Sequence, residues 1–433
     1  MSRSDPVPAI DQVVVIHDFA YAEGGAGKLA VLAACQYRDR GIPVTFFSGM
    51  KGLASDLLTD IECIGLDEQP LLAISTAKAL RQGYYNTKAR DALACWIAEN
   101  DTPRTVYHLH NWSQVLSPAI FTALRAVDDR LVVTCHDFFN TCPNGGFAHY
   151  GKCNPCELKP LSFACATSQC DRRSGLHKMW RMARQVKLNR EARFDQSRAT
   201  FTFIHEKMKD RFVASGFRAR NLLTIQNPVE PWSHERVMAE RNSDFIFVGR
   251  LSRDKGADLA ADAAQMADVP IKLMGTGELE AGIAAMGGKV EMRGWCDSEQ
   301  LLAAARKARA IVVPSRITEP FGLVILEAAA SGIPVIISNR AYLAEDAERL
   351  GFGTLVDPSD CGAIAETLKR LADDNALVAA MSESGVKRAS SLFLSPAQWS
   401  AALEKVFIQK LEGRCGDPDH AMVVPAGQSA VVG

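Results

Sequence analysis

Residues 311–337 read Ile311-Val312-Val313-Pro314-Ser315, Arg316-Ile317-Thr318-Glu319-Pro320-Phe321-Gly322, a helical stretch from Leu323 to Ser331, and then Gly332-Ile333-Pro334-Val335-Ile336-Ile337. The first run is apolar and β-branched and stops at Pro314, as a strand does. A turn rich in Pro and Gly follows, then a helix, then a second apolar strand. This is a β-α-β unit. Its helix begins where the first strand ends, at the edge of a parallel sheet where ligands bind. The first amides of that helix, at Phe321, Gly322 and Leu323, have no intrahelical partner, and the helix dipole favours an anion or hydroxyl oxygens there.

The same pattern recurs along the chain. Val13-Val14-Val15-Ile16-His17 is an unbroken apolar run, suited to a parallel strand covered on both faces. Glu23-Gly24-Gly25-Ala26-Gly27-Lys28 follows, then a helical stretch from Leu29 to Arg40 and a strand from Val44 to Phe47. Phe245-Ile246-Phe247-Val248-Gly249-Arg250 begins a second round, with a polar loop to Lys255, a helix from about Gly256 and a strand from Ile271 to Met274. Two rounds of strand, glycine-containing loop, helix and strand predict an α/β chain with two Rossmann-like domains.

Composition fits that frame. The 433 residues are 47% hydrophobic and 23% charged, and 49 Lys and Arg stand against 50 Asp and Glu. A balance that flat argues against a dedicated nucleic-acid binder. The first residues lack the apolar run of a signal peptide, and no uncharged apolar stretch reaches the roughly 20 residues of a membrane span. A cytoplasmic protein is expected, with its 12 cysteines reduced or bound to metal.

Chemistry concentrates in Glu319-Pro320-Phe321-Gly322-Leu323-Val324-Ile325-Leu326-Glu327. Eight helical residues would rise about 12 Å, enough to set one carboxylate at each end of a nucleotide-sugar with the diphosphate between. A Glu pair at this spacing is common by chance. The full segment, followed by Ala328-Ala329-Ala330-Ser331-Gly332-Ile333-Pro334-Val335-Ile336, is much more specific. It resembles the donor-binding signature of retaining glycosyltransferases of family four, which have the GT-B fold: two Rossmann-like domains facing a central cleft.

The resemblance implies residue roles. Val248-Gly249-Arg250-Leu251-Ser252-Arg253-Asp254-Lys255-Gly256 matches it on the first loop of the C-terminal half, and assigns Arg250 and Lys255 to the diphosphate. A planar guanidinium and a compact ammonium suit the charge that accumulates on a leaving diphosphate. Glu319 and the amides of Phe321, Gly322 and Leu323 are assigned to the sugar, and Glu327 to the ribose. Gly275 and the pair Gly294 and Trp295 are expected to line the nucleotide pocket.

In the N-terminal half, the glycine loop is not a Walker A motif. Ala22 replaces its first Gly, and Leu29 its Ser or Thr. The resemblance implies that Gly24 and Gly25 approach the donor phosphate. Leu131-Val132-Val133-Thr134-Cys135-His136-Asp137 is a strand ending in His-Asp. His136 is expected to contact the sugar with Asp137 orienting its ring, and His110 to line the acceptor pocket. The catalytic set is then His136, Glu319, Arg250 and Lys255. No covalent nucleophile and no catalytic metal are expected. The one Asp-x-Asp, Asp417-Pro418-Asp419, falls in the tail.

Two stretches stand apart. Cys153-x2-Cys156 and Cys165-x4-Cys170 have ligand spacing for a structural zinc. Between Asp171 and Arg198, nine Lys and Arg meet three Asp and Glu, with Trp180, Val186 and Phe194 interleaved. A basic helix there suits an anionic membrane or a lipid diphosphate; a solvated charged helix is the alternative.

The expected organisation is an acceptor-side domain over 1–227 that includes the Cys-rich insert 142–170, a hinge at 228–243, and a nucleotide-sugar domain over 244–394. A helix at 395–412 crosses back to the first domain, and 413–433 form a disordered tail. The expected activity is transfer of a sugar from a nucleotide-sugar to a lipid-linked or saccharide acceptor hydroxyl with retention, in cell-surface polysaccharide or glycoconjugate synthesis. Rival readings are a sugar phosphorylase, a nucleotide-sugar epimerase and a non-catalytic carbohydrate-binding protein. A dehydrogenase lacks support because neither glycine loop is Gly-x-Gly-x-x-Gly.

Overall fold

The computed structural model describes residues 10–22, 24–50 and 55–413. The tail from 414, with Asp417 and Asp419, lies outside the described residues, as does Glu23. The described residues divide into two compact units. The first comprises those up to 146, 158–226 and those from 396; the second comprises 147–157 and 227–395.

The first unit holds a seven-stranded parallel sheet. Its strands are β1 (Gln12–His17), β2 (Val44–Ser48), β3 (Glu62–Gly65), β4 (Thr105–Leu109), β5 (Leu131–Cys135), β8 (Thr200–Phe203) and β9 (Leu222–Thr224). A short hairpin, β6 (Ala148–His149) with β7 (Asn154–Pro155), belongs to the second unit. The spatial order is β3-β2-β1-β4-β5-β8-β9. Chain direction along the sheet reverses between β1 and β4, so the open end beside them is the topological switch point. Val13, Val14, Val15 and Ile16 are fully buried, as a strand covered by helices on both faces requires.

The second unit repeats the plan. Six parallel strands, β10 (Asp244–Val248), β11 (Ile271–Met274), β12 (Val290–Gly294), β13 (Ala308–Val313), β14 (Val335–Ser338) and β15 (Gly353–Val356), lie in the order β12-β11-β10-β13-β14-β15. Here the switch point falls between β10 and β13. Alanines of the helix Ala257–Met266 pack beside Phe245, Phe247 and Val312 in the core. Small side chains on that helix let it lie close to the sheet.

Three boundaries differ from the sequence expectation. Residues 228–243 are not a free hinge. The Val237 amide donates to Ser331 O at 2.9 Å, the Ser233 amide to Ser331 Oγ at 3.1 Å, and Arg236 donates to Ser382 Oγ at 2.8 Å. Val237 and Ala239 are buried, so this stretch is part of the second unit. The Cys-rich insert does not stay in one unit, because 147–157 sides with the second. There Arg340 Nη1 donates to Cys153 O at 3.2 Å. The helix from Leu323 ends at Ala330, and the turn before it is not helical. Helical rise therefore covers four of the eight steps from Glu319 to Glu327, about 6 Å.

The chain then returns to the first unit. Helix Pro396–Leu411 buries Trp399, Leu403, Val406 and Phe407. Phe407 lies edge-on to Tyr37 and His108, with ring centroids 5.4 and 5.5 Å away.

Candidate functional site

In the second unit, three loops meet at the switch point by backbone contact. A Cβ on Gly256 (φ +73°) would come within 2.2 Å of Pro314 O, and one on Gly275 (φ +139°) within 1.9 Å of Gly249 O. Only glycine permits either approach. The loop after β10 is thereby pressed against the loop after β13. The Arg316 amide donates to Asp254 O at 2.9 Å, and Arg316 Nη1 to Arg253 O at 2.7 Å. Arg316 is fixed in turn by a bidentate pair with Asp258 at 2.6 and 2.9 Å.

Charged side chains crown this junction. Lys255 Nζ, from the loop after β10, pairs with Glu319 from the loop after β13. Arg250 Nη2 donates to the buried Asp254 carboxylate at 2.9 Å, and its Nε to Ser252 Oγ at 3.2 Å. Half of the Arg250 side chain remains exposed, so Asp254 positions it without enclosing it. Gly322 (φ +67°) turns the chain into the helix Leu323–Ala330. Glu319 O accepts the Tyr342 amide at 3.1 Å, which holds the turn from its other side.

The first unit presents different chemistry at its switch point. Asp18, fully buried after β1, accepts three amides of the loop after β4: Gln114 and Val115 at 2.8 Å and Leu116 at 2.9 Å. Four histidines cluster at the ends of β1, β4 and β5. His110 Nδ1 lies 3.0 Å from His136 Nε2, with the rings stacked at 5.2 Å. His108 bridges Tyr37 OH at 2.9 Å and Thr134 Oγ1 at 2.8 Å. His17 Nδ1 meets the Phe19 backbone. The Nε2 atoms of His17 and His110 are buried without a hydrogen-bond partner.

Burial keeps these rings neutral. It lowers His108 and His136 to about 3, lowers His17, and holds His110 well below the ordinary imidazole range. Burial pushes the Asp137 carboxyl up to about 6 and lowers the buried Arg184 guanidinium to about 10. At neutral pH the cluster is therefore a hydrogen-bonding surface that does not carry the charge of four imidazoliums.

Residues 230–388 match the family model described as glycosyl transferases group 1. D-inositol 3-phosphate glycosyltransferase 1 of Catenulispora acidiphila is 32% identical over 198 residues, which are 40% of this chain and 46% of that protein. The chain spans about half the length, or less, of such curated relatives. Among solved structures, Anabaena HepE in complex with UDP superposes with a TM-score of 0.62 at 18% identity, covering 91% of this chain and 99% of that one. WaaG, described as a glycosyltransferase involved in lipopolysaccharide biosynthesis, gives 0.63 at 14%, covering 92% and 99%. The fold is GT-B, with two Rossmann-like units.

The matched segment contains Arg250, Lys255, Gly275, Gly294, Trp295, Glu319, Phe321, Gly322, Leu323 and Glu327. The structure joins Lys255 directly to Glu319, seats Arg250 on Asp254, and starts the helix at Leu323. Glu327 lies in that helix. Gly275 follows β11 and Gly294 ends β12, the Gly275 amide donating to Gly294 O at 2.6 Å, and Trp295 is 73% exposed. In the first unit, Gly24 and Gly25 open the helix Gly24–Asp39. His136 and His110 are joined.

Asp137 does not orient His136 as expected. Its carboxylate accepts the Phe139 amide at 2.9 Å, and the His136 ring is met by His110. Cys165 and Cys170 lie in the first unit, Cys153 and Cys156 in the second. Lys178 Nζ reaches Cys170 Sγ at 2.9 Å and Cys165 Sγ at 3.5 Å, while Cys153 Sγ donates to Tyr150 O. Among the described residues no three His, Cys, Asp or Glu side chains are arranged to hold a metal.

The basic stretch forms a helix whose cations face different surroundings. In Gly175–Ala192, Arg184 is buried, with its guanidinium over Trp112 and Trp180 at 5.1 and 5.5 Å. Arg181 pairs with Asp171, and Lys187 with Glu191. Sequence reading missed Tyr37, His108, His17 and Asp18. The repeat of His at 108 and 110 was a visible signal, but the partners lie many residues away in the chain.

Proposed function

We propose that the chain is a glycosyltransferase that moves a sugar from a nucleotide-sugar to an acceptor hydroxyl with retention of configuration. The observation that carries this is the junction of Lys255 and Glu319 at the switch point of the matched segment. The UDP bound to HepE favours a nucleoside diphosphate donor.

In this reading Arg250 and Lys255 neutralise the diphosphate as it departs, a charge that grows toward the transition state. Glu319 holds the sugar hydroxyls, with the amides of Phe321, Gly322 and Leu323 beside them, and Glu327 holds the ribose. Gly275, Gly294 and Trp295 line the nucleotide. From the first unit, Gly24 and Gly25 leave room for phosphate, and neutral His136, held by His110, hydrogen-bonds the sugar. The leaving phosphate takes the acceptor proton on the same face, so no covalent nucleophile and no metal enter the chemistry.

The acceptor is a saccharide or a lipid-linked one, in cell-surface polysaccharide or glycoconjugate synthesis at the inner face of the membrane. Among the described residues no helix is long and apolar enough to cross a membrane. Elemental analysis of the purified protein decides whether Cys153, Cys156, Cys165 and Cys170 hold a structural zinc.

Donor turnover with a panel of UDP-, GDP- and ADP-sugars should fall at least 100-fold in both Glu319→Ala and Arg250→Ala. Near-normal turnover in both rejects the assignment. Product analysis without an alcohol acceptor separates transfer from phosphorolysis and epimerisation.

A further inference from the structure

The helix Gly175–Ala192 in the first unit buries Met182, Leu188 and Ala192 but also polar side chains, and leaves apolar ones exposed. Lys178, Arg184 and Gln185 are buried, while Leu176 is 85%, Met179 57% and Val186 45% exposed. With the exposed Ala183 these apolar residues stand at positions i, i+3, i+7 and i+10. At 100° per residue they fall within an arc of about 80°, one stripe along the helix.

Hydrogen bonds from the inward polar side chains fix the rotation of the helix, although Arg184 Nε is buried without a hydrogen-bond partner. Lys178 reaches the two thiols of Cys165 and Cys170. Arg184 Nη2 donates to Ser113 O at 2.6 Å, and Gln185 Nε2 to Asn140 O at 3.1 Å. The helix cannot roll its apolar stripe inward without breaking these bonds inside the protein.

Elements packed against this helix also expose apolar side chains. Phe163, 85% exposed, sits on the short helix Phe163–Thr167 that packs on it. Leu80 is exposed on the helix Thr76–Tyr84, whose Leu80 O accepts Trp180 Nε1 at 3.1 Å. Exposed apolar side chains on neighbouring elements suit an interaction surface.

Charge names the partner. Arg172 and Arg173 are exposed just before the helix, and Arg190 and Arg193 at its end. The neighbouring acids are engaged, Asp171 by His177 and Arg181 and Glu191 by Lys187. An apolar stripe with cations at both ends suits a bilayer surface carrying anionic headgroups. A second copy of the same helix, laid parallel or antiparallel, would set cations against cations at each end.

We propose that this face docks on an anionic lipid bilayer, with Leu176, Met179, Val186 and Phe163 entering the headgroup boundary and the flanking arginines meeting phosphates. The proposal deepens the reading of an acceptor held at the membrane, yet its test needs no catalysis.

The full chain is sedimented with vesicles of phosphatidylglycerol and phosphatidylcholine, and with phosphatidylcholine alone. Binding should be at least tenfold tighter to the anionic vesicles. It should fall at least tenfold in Leu176→Glu/Met179→Glu and several-fold in Arg172→Gln/Arg173→Gln/Arg190→Gln. Val386→Glu, at an exposed apolar position of the second unit, should bind as the parent does. Equal binding by the Leu176→Glu/Met179→Glu variant, no binding by the parent, or a parent dimer in light scattering that this variant dissolves would each overturn the proposal. Vesicle binding without sugar transfer would sink the catalytic reading and leave this one standing.

Discussion

The two units share a strand order around the switch point, yet one places neutral histidines there and the other places paired charges. In the first unit, His17, His110 and His136 crowd the ends of β1, β4 and β5, and burial removes their charge. In the second, Lys255 pairs with Glu319 across two loops and Arg250 with Asp254 within one. The difference teaches that topology supplies the place and local packing supplies the chemistry. A neutral hydrogen-bonding surface suits hydroxyl groups. A surface with exposed cations suits phosphate.

The backbone differs in the same sense, and substitutions can break the contrast. Gly275→Ala should be the most damaging, because its Cβ would meet Gly249 O at 1.9 Å in a backbone region that side chains rarely adopt. A cost of about 4 kcal/mol or more is expected, with loss of the second unit's thermal transition. Gly24→Ala in the first unit meets nothing within 4 Å, so it should cost about 1 kcal/mol from its positive φ alone. Equal effects of the two would erase the distinction.

Phe407→Ala tests the first unit's core. Removing this fully buried ring from Tyr37 and His108 should cost about 3–4 kcal/mol in denaturant unfolding.

The histidines make an acid-side prediction. Folded His108 and His136 titrate near 3, whereas unfolded histidine titrates near 6.5. Between those values the unfolded chain binds more protons, so stability falls as pH drops below about 6.5. Each should contribute a slope of about 1.4 kcal/mol per pH unit within that window. Asp137, raised to about 6, acts oppositely, losing its contribution as pH rises from about 4 to 6, and offsets part of the slope. His108→Gln should flatten the acid dependence measured by denaturation at pH 7, 6 and 5; an unchanged slope would show that His108 titrates normally.

The smallest effect is expected at the half-exposed pair of Arg40 and Glu404. Arg40→Ala should cost under about 1 kcal/mol and should vary with salt.

Much of this fold was legible because parallel strands buried on both faces leave unbroken apolar runs. Val13 to Ile16 and Phe245 to Val248 announce themselves, and glycine marks the loop after each. Glu319 to Glu327 was legible for the same local reason, being contiguous. The histidine cluster was not: Tyr37 and His108 are 71 residues apart, and only the sheet order brings them together. The stretch 228–243 looked like a linker from its Pro and polar residues, but Val237 and Ala239 are buried by partners near Ser331 and Ser382. The charge count over 171–198 was accurate yet misleading, because it could not show that Lys178 and Arg184 point inward.

The central claim, that the charged junction of the second unit holds the donor, is tested most directly by calorimetric binding of UDP, GDP and ADP to the full chain and to Lys255→Ala, Arg250→Ala and His136→Ala. One nucleotide should bind the parent and His136→Ala alike, and should bind Lys255→Ala and Arg250→Ala at least tenfold more weakly. Unchanged affinity in both cation variants would contradict it.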